Sequence, residues 1–116
     1  MRVIIVGAGE VGRNIARRLS MEAKDVVVID RDAEKIRAIQ EALDVAALVG
    51  SGSNPQVLTD AGIVNAEMLI AVTDADEVNI TAALVTAAYS PATIKIARIR
   101  SPDLLADRKL MKYEGL

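Results

Sequence analysis

Gly7-Ala8-Gly9-Glu10-Val11-Gly12 has the spacing G-x-G-x-x-G, and Asp30 follows at the end of the apolar run Val26-Val27-Val28-Ile29. This pattern binds an adenine dinucleotide when the glycines leave a strand and open a helix, with the carboxylate near the end of the next strand. Arg2 to Val6 reads as that first strand, and helical periodicity begins near Val11. Each glycine has a task. Gly7 lets the chain turn sharply out of the strand, Gly9 removes the Cβ that would hold a pyrophosphate off the main chain, and Gly12 lets the helix lie close to the strand. The open N–H groups and positive dipole end of that helix would face the phosphates. Asp30 would accept from the ribose hydroxyls and repel a 2′-phosphate, which favours NAD over NADP. Arg31 beside it is a guanidinium that could accommodate the same phosphate. An ordinary tight turn is the alternative explanation for the glycines.

The ends of the later strands carry further candidates. Gly50-Ser51-Gly52-Ser53 leaves room for an adenine and offers hydroxyl and N–H groups, and a flexible turn into Pro55 explains it equally well. In Thr73-Asp74-Ala75-Asp76-Glu77, Thr73 falls where this architecture meets a pyrophosphate or the far ribose, and Asp76 is expected to cap the following helix. Lys95, Arg98 and Arg100 are charges in or beside an apolar strand. A buried guanidinium needs an anion partner, which for Arg98 would be ligand phosphate or Asp74. An exposed edge position suffices for Lys95 and Arg100.

These residues need a framework, and apolar runs alternating with helical periods provide one. The strands are read as Arg2 to Val6, Val26 to Ile29, Val45 to Val49, Met68 to Val72 and Ile94 to Ile99. Val11, Ile15 and Leu19 share one helical face, and so do Ile36, Ile39 and Leu43. A short helix runs from Pro55 to Ala61 and stops at Gly62. A longer one runs from Asp76 to Tyr89 and stops at Ser90-Pro91. Its Ala82, Ala83, Ala87 and Ala88 fit close packing on a sheet or a helix–helix contact between two copies. From Ser101-Pro102-Asp103 onward the pattern is a capped helix ending in Lys109, Lys112 and Tyr113, with no sixth strand after it. A doubly wound fold usually continues there, so the expectation is a longer protein or a completing partner. The fold class is α/β, a Rossmann-like doubly wound parallel sheet in the order 3-2-1-4-5 within three αβα layers.

Composition removes many chemistries. The 116 residues contain no Cys and no His, so thiol nucleophiles, zinc clusters and imidazole acid–base groups are excluded within them. A formal charge of −2, two tyrosines and no Phe or Trp leave neither a basic stripe nor stacking platforms for nucleic acid. No apolar stretch approaches the roughly 20 residues of a membrane span. Met1-Arg2 leads directly into the first strand without the regions of a signal peptide, so a cytoplasmic location is expected.

The ordered set Val6 to Gly12, Val28-Ile29-Asp30, Gly50 to Ser53, Leu69-Ile70-Ala71-Val72-Thr73, Asp76-Glu77-Val78-Asn79 and Ala97-Arg98-Ile99-Arg100-Ser101-Pro102-Asp103 resembles the TrkA N-terminal domain over nearly the whole chain. Members of that family regulate potassium conductance. The resemblance implies a peripheral cytoplasmic subunit at the inner face of the cell membrane. It would bind NAD(H), with ATP or ADP as alternative occupants of the same site, and act on a membrane potassium channel or transporter subunit. It would assemble as a homodimer or higher ring, without entering the membrane. By motif, Gly7, Ala8, Gly9, Glu10, Val11, Gly12, Asp30 and Arg31 hold the dinucleotide. Ser51 and Gly52 line the adenine side, Thr73 and Asp74 border the pyrophosphate, and Arg98 faces the phosphates. Some ATP-preferring relatives carry arginine where this chain has Glu10, whose carboxylate would repel a γ-phosphate. The competing reading is the cofactor-binding domain of an NAD-dependent oxidoreductase, with Asp74 or Glu77 in an acid–base role.

Overall fold

A computed structural model describes residues 1–112 of the chain. Its strands are β1 (Arg2–Val6), β2 (Asp25–Asp30), β3 (Ala46–Val49), β4 (Met68–Ala71) and β5 (Ile94–Ala97). All pair in parallel, in the order β3-β2-β1-β4-β5. The helices are α1 (Glu10–Met21), α2 (Ala33–Ala42), α3 (Pro55–Asp60), α4 (Asp76–Tyr89), α5 (Pro102–Ala106) and α6 (Arg108–Met111).

The period of two along the central strands sends alternate side chains to opposite faces, each covered by helices. Val3, Ile5, Val26 and Val28 pack with Ala16 of α1 and with Ile36 and Ile39 of α2. Ile4, Val6, Val27 and Ile29 pack with Leu58 of α3 and Ala82 of α4. These are the three layers expected from the alternation of strands and helices.

Several boundaries differ from the sequence reading for identifiable reasons. Val11 is 42% exposed, because α1 presents Gly12 and Ala16 to the sheet with Ile15 and Leu19 beside them. The buried stripe is therefore offset by one residue, which small residues make possible. Asp76 does not cap α4: Ala75 holds the N-cap position and makes no side-chain cap. The segment after β5 is two short helices instead of one. Ser101 Oγ accepts from Leu104 N at 3.3 Å to cap α5, then Asp107 adopts an extended conformation and accepts from Leu110 N at 2.9 Å to cap α6. The expected helix end at Tyr113 lies outside the described residues. Of the small residues on α4, Ala82 and Ala83 are buried against the sheet while Ala88 is exposed.

The two ends of the sheet are fastened differently. At the strand N-termini, Arg2 Nε pairs with Asp25 at 2.9 Å, Arg2 Nη1 donates to the Ala61 carbonyl at 3.1 Å, and Lys24 pairs with Glu67 at 3.4 Å. At the opposite rim the fastenings involve backbone groups, and there the chain forms a crevice.

Candidate functional site

Strand order reverses on either side of β1, and at the carboxyl ends of the strands the loops part to leave a cavity of about 590 Å³. This is where a doubly wound sheet places its ligands. Loops following all five strands contribute: Gly7, Gly9, Glu10 and Val11 after β1, Asp30 and Arg31 at the end of β2, Gly50 and Gly52 after β3, Asp74 and Ala75 after β4, and Arg98 and Arg100 after β5.

The glycine loop has the geometry its tasks require. Gly7 has φ +115°, a conformation that side chains other than glycine rarely adopt, and its N–H donates to the Ile29 carbonyl at 2.7 Å. A Cβ on Gly12 would overlap the Gly7 carbonyl, so contact between α1 and the loop depends on its absence. Gly9 is different: a Cβ there would meet nothing within 4 Å among the described residues. No packing among the described residues demands glycine at that position. Gly9 is also the N-cap of α1 and has no side chain with which to cap it, so the first-turn amides are left for another acceptor.

Asp30 organises the loop as well as lining the crevice. Its Oδ2 accepts from Ala8 N at 2.8 Å, and its Oδ1 accepts from Asp32 N at 2.8 Å. Each oxygen retains a lone pair for a ribose hydroxyl. The Ala8 amide is consequently committed to Asp30, and Ala8 itself is buried. Gly12 is buried too, so Ala8 and Gly12 shape the loop from behind while Gly7, Gly9, Glu10 and Val11 face the cavity.

On the β3 side, Gly52 lines the cavity and a Cβ there would overlap Val6. Ser51 is outside the cavity lining: its hydroxyl hydrogen-bonds that of Ser53 at 2.7 Å and accepts from Ser53 N at 3.2 Å. Gly50 and Gly52 are the residues of this loop that face the cavity.

On the β4–β5 side, the organising residue is one to which the sequence reading gave no role. Asn79 is fully buried in the first turns of α4. Its Oδ1 accepts from Thr73 N at 2.9 Å and from Thr73 Oγ1 at 2.7 Å, while Nδ2 donates to the carbonyls of Thr73 at 3.0 Å and Arg98 at 2.9 Å. One carboxamide thereby ties the ends of β4 and β5 together. Thr73 lines the cavity, yet its hydroxyl is occupied internally, with Ala75 N donating to it at 3.2 Å. The signal available in sequence was a polar residue in line with the buried Ala82 and Ala83.

Arg98 Nη2 donates to the carbonyls of Val72 at 2.7 Å and Thr73 at 2.9 Å, which fixes the guanidinium at the cavity wall. Asp74 Oδ1 lies 3.5 Å from Arg98 Nη2 and 3.4 Å from Arg100 Nη1. Arg98 Nε is buried and has no hydrogen-bond partner among the described residues. Arg100, expected only as an exposed edge residue, is exposed and also lines the cavity. Lys95 is half-buried and folds back onto the carbonyls of Thr93 at 3.0 Å and Pro91 at 3.3 Å.

Asp76 accepts from Arg100 N at 2.9 Å and Ser101 N at 2.8 Å, holding the chain where it leaves β5. Those two backbone N–H groups hold its carboxyl below the ordinary value of 3.8; partial burial opposes them, and the nearby Arg100 and Arg98 charges add to the lowering. Lys35 of α2 is a further cation on the cavity, close in sequence to Asp30 and Arg31, and the sequence reading omitted it.

Comparison with known proteins places this architecture. A family model described as the TrkA-N domain matches residues 3–115. The Trk system potassium uptake protein TrkA of Halomonas elongata is 41% identical over 116 residues, covering 100% of this chain and 25% of that protein. The protein of the same name from Azorhizobium caulinodans is 47% identical over 105 residues, covering 90% of this chain and 23% of its own length. The chain thus spans about a quarter of the length of these relatives. Among solved structures, the GsuK channel bound to NAD superposes with a TM-score of 0.78 at 20% identity, covering 95% of this chain and 19% of that one. The TrkA-N domain of inner membrane protein ybaL from Escherichia coli gives 0.78 at 24% identity, covering 88% and 75%. The Kef C-terminal domain from Shewanella denitrificans, in AMP-bound form, gives 0.71 at 23% identity, covering 83% and 57%. These structural likenesses show the fold. With its family model matching almost from end to end, the chain belongs to the TrkA-N domain family.

Proposed function

We propose that this chain is a nucleotide receptor that regulates potassium uptake, with NAD(H) in the crevice at the strand ends. The observation that carries the reading is Gly9. It occupies open space at an uncapped helix start, facing a cavity whose opposite rim holds Arg98 and Arg100 and whose flank holds Asp30. A diphosphate fits between the amides and the guanidinium groups, and a ribose fits against the carboxylate. Gly50 and Gly52 leave space for the adenine, with Ser51 behind them; Thr73 and Asp74 border the diphosphate. ATP or ADP can compete for the same place, and Glu10 at the rim disfavours the additional charge of a γ-phosphate.

The names of the relatives support a role beside a membrane potassium transporter. In this reading the chain is the first domain of a longer peripheral subunit, cytoplasmic at the inner face of the membrane, and assembles as a homodimer or larger ring. No helix among the described residues is long and apolar enough to cross a membrane. Regulation requires differential binding: nucleotide shifts the transporter only if it favours one arrangement of the domains over another.

The test is calorimetric titration with NADH, NAD, NADPH, ATP and ADP, using wild type and Asp30→Ala. NADH should bind, and the variant should bind it more weakly by about 1 to 3 kcal/mol. Absence of nucleotide binding to the wild type overturns the receptor reading. Solution scattering profiles that are identical with and without NADH in the full-length assembly overturn the gating.

A further inference from the structure

We infer that Asp74 is an internal anion that competes with ligand phosphate for Arg98 and Arg100, and so sets how much negative charge a ligand must bring to this rim. The inference rests on the receptor reading and deepens it.

The geometry separates a fixed partner from a replaceable one. Arg98 is 22% exposed, and its Nη2 is anchored by the Val72 and Thr73 carbonyls at 2.7 and 2.9 Å. That anchoring sets the direction of the guanidinium whatever anion it meets. Asp74 is 86% exposed and touches both cations through a single oxygen, at 3.5 and 3.4 Å, longer than a well-formed charge-assisted hydrogen bond. A pair so exposed and so loosely engaged contributes little to stability. A phosphate carries more charge and several acceptor oxygens, so it can meet both guanidinium groups at once. Both arginines and Asp74 line the same cavity as Gly9, so ligand and carboxylate meet the cations in one place. Asp74 also leaves a negative charge beside any phosphate that displaces it. Both effects act in one direction: the carboxylate weakens anion binding, most for anions reaching this rim.

The test uses inorganic pyrophosphate, NADH and adenosine with wild type and Asp74→Asn, the substitution falling on a side chain open to solvent. Pyrophosphate and NADH should bind the variant roughly fivefold more tightly at low salt, the advantage shrinking as salt is raised. Adenosine, which carries no phosphate, should bind both proteins equally. In the variant, the Arg98 Nε–H resonance should shift at lower pyrophosphate concentration. Unchanged or weaker pyrophosphate binding by Asp74→Asn overturns the inference, as does an equal gain for adenosine, which would trace the effect to cavity shape. If wild type takes no NADH but pyrophosphate still distinguishes the two proteins, the competition stands and the dinucleotide reading falls.

Discussion

Asn79 donates from its side-chain amide to the Arg98 carbonyl at 2.9 Å, and Arg98 in turn donates from its guanidinium to the Thr73 carbonyl that Asn79 also binds. A buried carboxamide on α4 thus determines where the cation that follows β5 stands relative to β4. Replacing it by Ala strands the Thr73 N–H and leaves the Arg98 carbonyl without this donor. The expected loss in unfolding free energy is about 2 to 4 kcal/mol, measured as a lower urea midpoint. Asn79→Asp should be no better at neutral pH, because a carboxylate would replace a donor facing two carbonyl oxygens.

The second and third glycines of the loop should separate folding from binding. Gly12→Ala forces a methyl group against the Gly7 carbonyl and should cost about 3 kcal/mol of stability. Gly9→Ala meets nothing among the described residues and keeps an accessible backbone conformation, φ −75° and ψ −165°. Its stability should lie within about 1 kcal/mol of wild type, while NADH affinity falls roughly tenfold or more. Thermal denaturation together with titration of both variants checks the contrast.

Acid should loosen the chain where it leaves β5. The Asp76 carboxyl is held below its ordinary 3.8 by the Arg100 and Ser101 N–H groups, so the unfolded chain takes up the proton more readily than the folded one. The contribution is complete above that ordinary value and disappears as pH falls through the lowered one. The stability difference between wild type and Asp76→Asn should therefore be larger at pH 7 than at pH 2.5. Below pH 4 the Arg100 and Ser101 amide resonances of wild type should move toward those of the variant. A difference independent of pH would remove Asp76 from this role.

Cofactor choice should depend on Lys35 as well as Arg31. Both cations line the cavity with Asp30, so the repulsion of a 2′-phosphate by the carboxylate is partly offset. NADH should bind more tightly than NADPH, and Arg31→Ala combined with Lys35→Ala should widen that gap by roughly fivefold at low salt. Parallel titrations of the two cofactors measure it. A gap that narrows would place the 2′-hydroxyl elsewhere.

The framework was legible because its signals are local and repetitive. Runs such as Val3 to Val6 and Val26 to Ile29 can be little else than buried parallel strands, and α4 begins and ends where Asp76 and Ser90-Pro91 indicate. The rim was less legible, because its contacts join residues far apart in sequence. Asp76 looks like a helix cap, yet it reaches the amides of Arg100 and Ser101, and nothing near it in sequence reports that. Asn79 is one polar residue within a helix until the ends of β4 and β5 are brought to it. Val11 shares a helical face with Ile15 and Leu19 by period, yet Gly12 and Ala16, which carry little apolar weight in sequence, hold the buried positions of α1. The break at Asp107 falls in a stretch whose composition favours helix, and it arises because the aspartate caps the turn that follows.

The sheet is clasped by partly exposed ion pairs at its base and by the polar contacts of Asn79 at its rim, and dissolved salt acts on these unequally. Concentrated electrolyte screens Arg2 from Asp25 and Lys24 from Glu67, but leaves the grip of Asn79 on β4 and β5 almost untouched. High ionic strength should therefore weaken the ion pairs at the base slightly while the hold of Asn79 on the two strand ends keeps its geometry.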